Sequence, residues 1–329
     1  MDAYGGTAAA EGDGRRRLLR WGRIAITVGT VAYLASRVDP GEVLSAWKRL
    51  SLGSALGALA AVFLGLTLGV IRWRMLLHAY GAPRVPSFVR LGHLYLVGHF
   101  YNTYAPGGVG GDVLRGVASR RAFGESSWAS GTTGVAVVFI ERVLGVSALL
   151  ALAAGAYLYQ PLPGLEKVEL WAALGLAAGV VAIGGIAIAP RLAPFLPAAL
   201  EKPIAALPRL RSWTPFIGAI AASLIIHALN VVAGHAIMHS LDPSVNLIES
   251  AVAMPLIGAS AFFPLTVGGA GVREAAFAAL YGTVGVPEAT AYAGSLSFWA
   301  CQLISAGVGG IINLWVPISG GPDDPTGPQ

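Results

Sequence analysis

Two stretches of this chain share one chemical pattern. Pro106-Gly107-Gly108-Val109-Gly110-Gly111-Asp112-Val113-Leu114-Arg115 and Pro264-Leu265-Thr266-Val267-Gly268-Gly269-Ala270-Gly271-Val272-Arg273 both read P-x-x-V-G-G-x-x-x-R, 158 residues apart (264 − 106). Each follows an aromatic approach, His99-Phe100-Tyr101-Asn102-Thr103-Tyr104 in the first and Ala261-Phe262-Phe263 in the second. Proline ends an incoming helix, because it cannot donate and disfavours helix at the residue before it. The Gly-Gly pair lets a ligand approach the main chain. The helix that restarts there presents unpaired N–H groups and a positive dipole end, which is the chemistry of an anion site. At bilayer depth the matching anion is a lipid phosphate. Arg115 and Arg273 lie nine residues past the prolines, about 13.5 Å along a helix. They are expected nearer the two membrane surfaces, as phosphate contacts on the way in and out. The competing readings are that each arginine anchors its hairpin at the interface, and that a chain with 44 Gly and 20 Pro repeats the pattern by chance.

Further charge falls inside apolar sequence. Glu141 and Arg142 occupy the middle of the run 126–158, where a charge costs at least ~2.5–3.5 kcal/mol on insertion scales and therefore usually faces a paired interior or a cavity. Neighbours on a helix point about 100° apart, so the partners of these two are expected on other helices. Asp112 and Glu274 flank the Gly-Gly turns and are candidates for the same network or for proton coupling; capping the helix N-terminus is the alternative for Asp112. His227, Asn230 and Gly234 form one stripe on the run 213–239, which suits either a pathway lining or an interhelical hydrogen bond.

These residues need elements to position them. Of 329 residues 55% are hydrophobic and 12% charged, about half the charged share of a soluble domain, and mean hydropathy is +0.66. Apolar segments run at 22–38, 52–79, 88–105, 126–158, 168–189, 213–239, 247–263, 270–284 and 288–316. Those at 88–105, 247–263 and 270–284 are short or broken by Pro and Gly and read as re-entrant or half-helices; the others are long enough to cross. The expected fold is an all-α polytopic membrane protein with about six full spans plus two inverted re-entrant helical hairpins. Its domain plan is a disordered basic N-terminus over 1–20, one transmembrane domain over 21–317 with repeats at about 52–158 and 213–316, and a disordered tail over 318–329. Three spans between the motif copies, an odd number, invert the second copy relative to the first, as in transporters that bind near the midplane.

Placing the N-terminus in the cytoplasm collects Arg15, Arg16, Arg17, Arg20 and Arg23 on the inner side. Arg72, Arg74, Arg84, Arg90, Arg115, Arg120, Arg121, Arg191, Lys202, Arg209 and Arg211 join them, sixteen against Arg37, Lys48, Arg49 and Lys167 outside. The basic start followed by an apolar run also has the outline of a signal peptide, but no small-x-small site follows. Trp47, Trp73, Trp128, Trp171, Trp213 and Trp315 fall near segment ends, as interface anchors do. A single cysteine, Cys301, rules out an internal disulfide and a cysteine-based metal cluster. No P-loop, H-E-x-x-H or C-x-x-C is present, so ATP-driven transport by this chain alone is not expected, nor is any cofactor or metal.

Taken together, Arg72-Trp73, Asn102, Pro106 to Asp112, Arg115, Glu141-Arg142 and Gly268-Gly269-x-Gly271-Val272-Arg273-Glu274 resemble the lysylphosphatidylglycerol synthase transmembrane family over roughly residues 20–316. The resemblance implies a lipid flippase fold with re-entrant hairpins. It implies no lysyl transfer, because the aminoacyl-transferase domain of two-domain members is not found in this sequence. The chain departs from the family where an arginine is usual in the last long helix: it reads Phe298-Trp299-Ala300-Cys301-Gln302. Trp299 follows Arg273 by the same 26 residues that separate Glu141 from Arg115. The expected function is translocation of an anionic or headgroup-modified lipid across the cytoplasmic membrane. The substrate contacts would be Asn102, Pro106, Gly110, Gly111, Asp112, Arg115, Glu141, Arg142, Pro264, Gly268, Gly269, Arg273 and Glu274. Partners would be a phospholipid or polyprenyl-phosphate lipid, with a homo-oligomer or a separate transferase as further options, and no nucleic acid. A membrane-embedded transferase on such lipids is the alternative, and a non-transporting scaffold the third.

Overall fold

The computed structural model describes residues 39–104, 110–124, 133–162, 168–192, 195, 197, 208–260 and 270–316. The expected first span at 22–38, both terminal tails and the motif tips with Pro106, Pro264, Gly268 and Gly269 lie outside these residues. The described chain is helical throughout: α1 Pro40–Trp47, α2 Leu52–Ala79, α3 Phe88–Tyr104, α4 Gly110–Ala122, α5 Thr133–Tyr159, α6 Val168–Leu192, α7 Trp213–Leu241, α8 Leu247–Ser260, α9 Val272–Gly282 and α10 Glu288–Trp315. Among the described residues α2, α5, α7 and α10 are long and apolar enough to cross a membrane. The expected span at 168–189 is the 25-residue α6. The short helix α1 is an addition to the expected elements. Pro40 at its first position suits a helix start, and the Asp39 side chain accepts from Gly41 N–H at 2.7 Å.

The two halves pack antiparallel. The end of α2 meets the start of α7, where the N–H groups of Arg211 and Ser212 donate to the Ala79 carbonyl at 2.9 and 3.0 Å. At the opposite end Ser51 N–H donates to Ser240 Oγ at 2.9 Å. The helix pairing repeats between halves: α3 on α10 corresponds to α8 on α5, α2 on α10 to α7 on α5, and α1 on α10 to α6 on α5. The internal repeat is thus present in the packing as well as in the motif, with the second copy reversed.

Helices α3 and α4 form a hairpin whose ends return to one end of the bundle, since Arg84 N–H donates to the Ala122 carbonyl at 3.2 Å. Their backbones touch: a Cβ on Gly111 would stand 1.9 Å from the Gly98 carbonyl oxygen. The hairpin α8–α9 closes in the same way at the other end, where Tyr281 near the end of α9 donates to Ser250 near the start of α8 at 3.3 Å. Each hairpin has its own apolar core, one around Trp73, Leu77, Leu91, Ile140 and Phe216 and one around Met238, Ile257, Phe277 and Tyr281.

Charge is sorted between the two ends. The described residues at the α2, α4 and α7 end carry Arg74, Arg84, Arg90, Arg120, Arg121, Arg209 and Arg211 and no Asp or Glu, whereas Asp39, Glu42, Asp242, Glu249 and Glu288, with Lys48 and Arg49, belong to the other. Trp213 and Trp315 are exposed, as anchors should be, and Trp47 is partly so. Trp73 is not an anchor. It is fully buried and its indole N–H donates to Ser119 Oγ at 3.0 Å, because α4 and α5 cover the helix face it occupies.

Candidate functional site

A buried ion network joins three helices of the first half. Glu141 on α5 is 1% exposed and accepts from Arg72 of α2 and from Arg115 of α4, each at 2.7 Å. The second Arg115 nitrogen reaches Asp112 at 2.7 Å, one turn back on its own helix. Asp112 also accepts from Arg142 at 2.6 Å. Consecutive residues of α5 therefore bind in different directions, Glu141 to α2 and α4 and Arg142 to α4, as the helical angle between them requires. Three guanidinium groups against two carboxylates leave one positive charge in excess.

Aromatic and hydroxyl groups complete the first half of the site. Arg115 lies over the rings of Tyr95 at 4.9 Å and Trp73 at 5.8 Å, which stabilises a desolvated cation. Arg72 also donates to Ser223 Oγ at 3.2 Å, while its buried Nε has no hydrogen-bond partner among the described residues. A cavity of about 240 Å³ opens onto Arg72, Arg115, Arg142 and Glu141, walled by Tyr95, His99, Asn102 and His227. Arg72 stands seven residues before the end of α2 (79 − 72) and Glu141 eight after the start of α5 (141 − 133). The network thus lies about 10–12 Å inside the basic end.

At the start of α4 one N–H, that of Gly111, is taken by a side chain of α3. Gly111 N–H donates to Asn102 Oδ1 at 2.7 Å, and the Asn102 amide nitrogen donates to Asp112 at 3.3 Å. Three guanidinium groups, those of Arg72, Arg115 and Arg142, line the cavity. Arg115 is buried at 6% exposure and sits at the centre of the network rather than near a surface, since two carboxylates draw it inward. Asp112 serves as an ion partner.

The second half is built differently. Arg273 and Glu274 pair with each other, and both bond Ser295 Oγ, at 3.2 and 3.1 Å. The other Glu274 oxygen accepts from Gly271 N–H at 2.6 Å and caps α9. Arg273 then lies over the Trp299 ring at 4.8 Å. The 26-residue correspondence holds in space, with an indole in place of a carboxylate.

The polar stripe on α7 divides. His227 lines the cavity, Asn230 bonds the Ile226 carbonyl of its own helix at 3.0 Å, and Gly234 packs against Met254. Arg72, Tyr95, His99 and Ser223 were not among the expected site residues. An arginine seven residues inside the end of a 28-residue apolar helix was the available signal for the first. Among the described residues no three His, Cys, Asp or Glu side chains gather to hold a metal ion.

The chain matches the family described as Lysylphosphatidylglycerol synthase TM region over residues 20–310, and it belongs to that family. No curated protein matches it.

Proposed function

For a member of this family, a multi-pass membrane protein concerned with membrane lipid, we propose that the chain translocates an anionic or headgroup-modified phospholipid between leaflets. The observation that carries the reading is the arginine-lined cavity, recessed in apolar helices, with one positive charge beyond what its carboxylates neutralise. Bringing a phosphate into hydrocarbon without partners costs many kcal/mol, and guanidinium donors, two of them held in place by Glu141, offset that cost. Arg142, whose side chain is 41% exposed, is the donor most available to an incoming headgroup. The hairpins are read as re-entrant, the basic end as cytoplasmic, and the bundle as six spans in the inner membrane. No chemical step is assigned: among the described residues the site is a cation-rich binding place.

Purified protein should carry anionic phospholipid, and Arg142→Gln should carry markedly less. Equal co-purified phospholipid phosphate in the two would contradict the site, and product formed from a lipid-linked donor would replace transport with transfer.

A further inference from the structure

A second cavity, of about 460 Å³, lies at the basic end, outside the buried network. Four elements converge there: the turn after α2 with Gly81 and Pro83, the end of α4 with Phe123, the start of α5, and the segment before α7 with Pro208, Arg209 and Arg211. We propose that this cavity is a separate binding site for a phosphate group attached to an apolar body.

One of its two cations, Arg211, is held by the chain. The backbone of Arg211 is fixed to Ala79, and the Arg211 stem crosses Gly81 so closely that a Cβ there would stand 2.3 Å from Arg211 Cδ. Gly81 also has φ +74°, which other residues rarely adopt. The turn and the guanidinium are therefore built around each other. Neither Arg209 nor Arg211 forms an ion pair with another described residue, and the described residues that line the cavity include no carboxylate. Two guanidinium groups on one cavity whose described lining has no carboxylate suit an anion from outside. Pro83, Phe123 and Pro208 give an apolar wall to the same space. Tyr80 lines it too, and its buried hydroxyl is a donor without a partner among the described residues. Tyr80 follows Arg72 by eight residues, about 12 Å along α2, so the cavity lies beyond the network toward the basic end. The shared ligand chemistry is a phosphate ester, from a lipid headgroup in the adjoining leaflet or from a soluble phosphate compound.

The test uses the full chain, and two probes separate the sources. In the lipid arm, native mass spectra are recorded after exchange into mixed phosphatidylcholine and phosphatidylglycerol. In the soluble arm, sn-glycerol 3-phosphate is titrated calorimetrically. The wild type should hold one more phosphatidylglycerol than R209Q/R211Q, with affinity reduced roughly 10- to 30-fold in the variant. Arg142→Gln should keep this lipid. Binding of the soluble ester with the same dependence on both arginines would instead identify a soluble ligand for the site. If the double variant does not fold, the single R209Q, at an exposed position, carries the comparison with a roughly fivefold loss. Undiminished binding in the variants, or no binding of either probe by the wild type, would overturn the proposal.

Discussion

The Arg273 guanidinium rests on the Trp299 indole at 4.8 Å, in the place where Arg115 of the other half meets the Glu141 carboxylate at 2.7 Å. One half thus ends in a charged, cavity-lining network, and the other in a self-paired arginine covered by a ring. The two halves therefore differ in chemistry at corresponding positions. The half that keeps surplus charge is the one suited to hold an anion.

Trp299→Leu should destabilise the protein by about 1–2 kcal/mol, since it removes a partly buried cation–π contact while leaving the Arg273–Glu274 pair intact. Trp299→Phe should recover part of that loss. Thermal unfolding in detergent measures both, and unchanged stability in Trp299→Leu would mean the ring contact contributes nothing.

Glu141→Ala should cost about 3–5 kcal/mol, because it leaves Arg72 and Arg115 buried without a counter-charge. Combining Glu141→Leu with Arg115→Leu should cost less than the sum of the single changes, with a coupling of about 0.5–3 kcal/mol. Strict additivity in denaturation would show that the two groups do not depend on each other.

Gly111→Ala should be far more damaging than Gly98→Ala, although the two glycines face each other across α3 and α4. A Cβ on Gly111 meets the Gly98 carbonyl at 1.9 Å, whereas one on Gly98 stands 3.3 Å from its nearest neighbour. Membrane yield and unfolding temperature separate them; equal behaviour would show that the hairpin opens at little cost.

Asp112→Asn should raise the amount of anionic lipid held, in contrast to Arg142→Gln. It removes the carboxylate that occupies Arg142 and part of Arg115, which increases the surplus positive charge. Lipid extraction with phosphate analysis reads the change, and a fall in bound lipid would mean Asp112 is needed to present the arginines.

Much of this arrangement was legible in the residues. The Gly-Gly repeat located both hairpins, helix-length apolar runs located α2, α5, α7 and α10, and Glu141-Arg142 announced a buried network. The spacing from Arg273 pointed to Trp299. What stayed hidden depends on contacts between distant segments. Nothing local distinguishes Trp73, buried beneath α4 and α5, from a tryptophan at the membrane surface. Periodicity placed Asn230 on the face of His227 but could not show that its amide turns back to its own helix. The Asn102 side chain occupies the Gly111 N–H, and only the folded hairpin brings those groups together.

The central claim is that the first-half arginine cavity carries a lipid phosphate through the bilayer. Its most direct measurement is headgroup accessibility of labelled anionic phospholipid in liposomes containing the wild type, Arg142→Gln, or no protein. The account predicts rapid exchange between leaflets with the wild type and at least tenfold slower exchange with Arg142→Gln, consistent with loss of one charge-assisted contact. Exchange no faster with the wild type than in protein-free liposomes, across several anionic lipids, would contradict it.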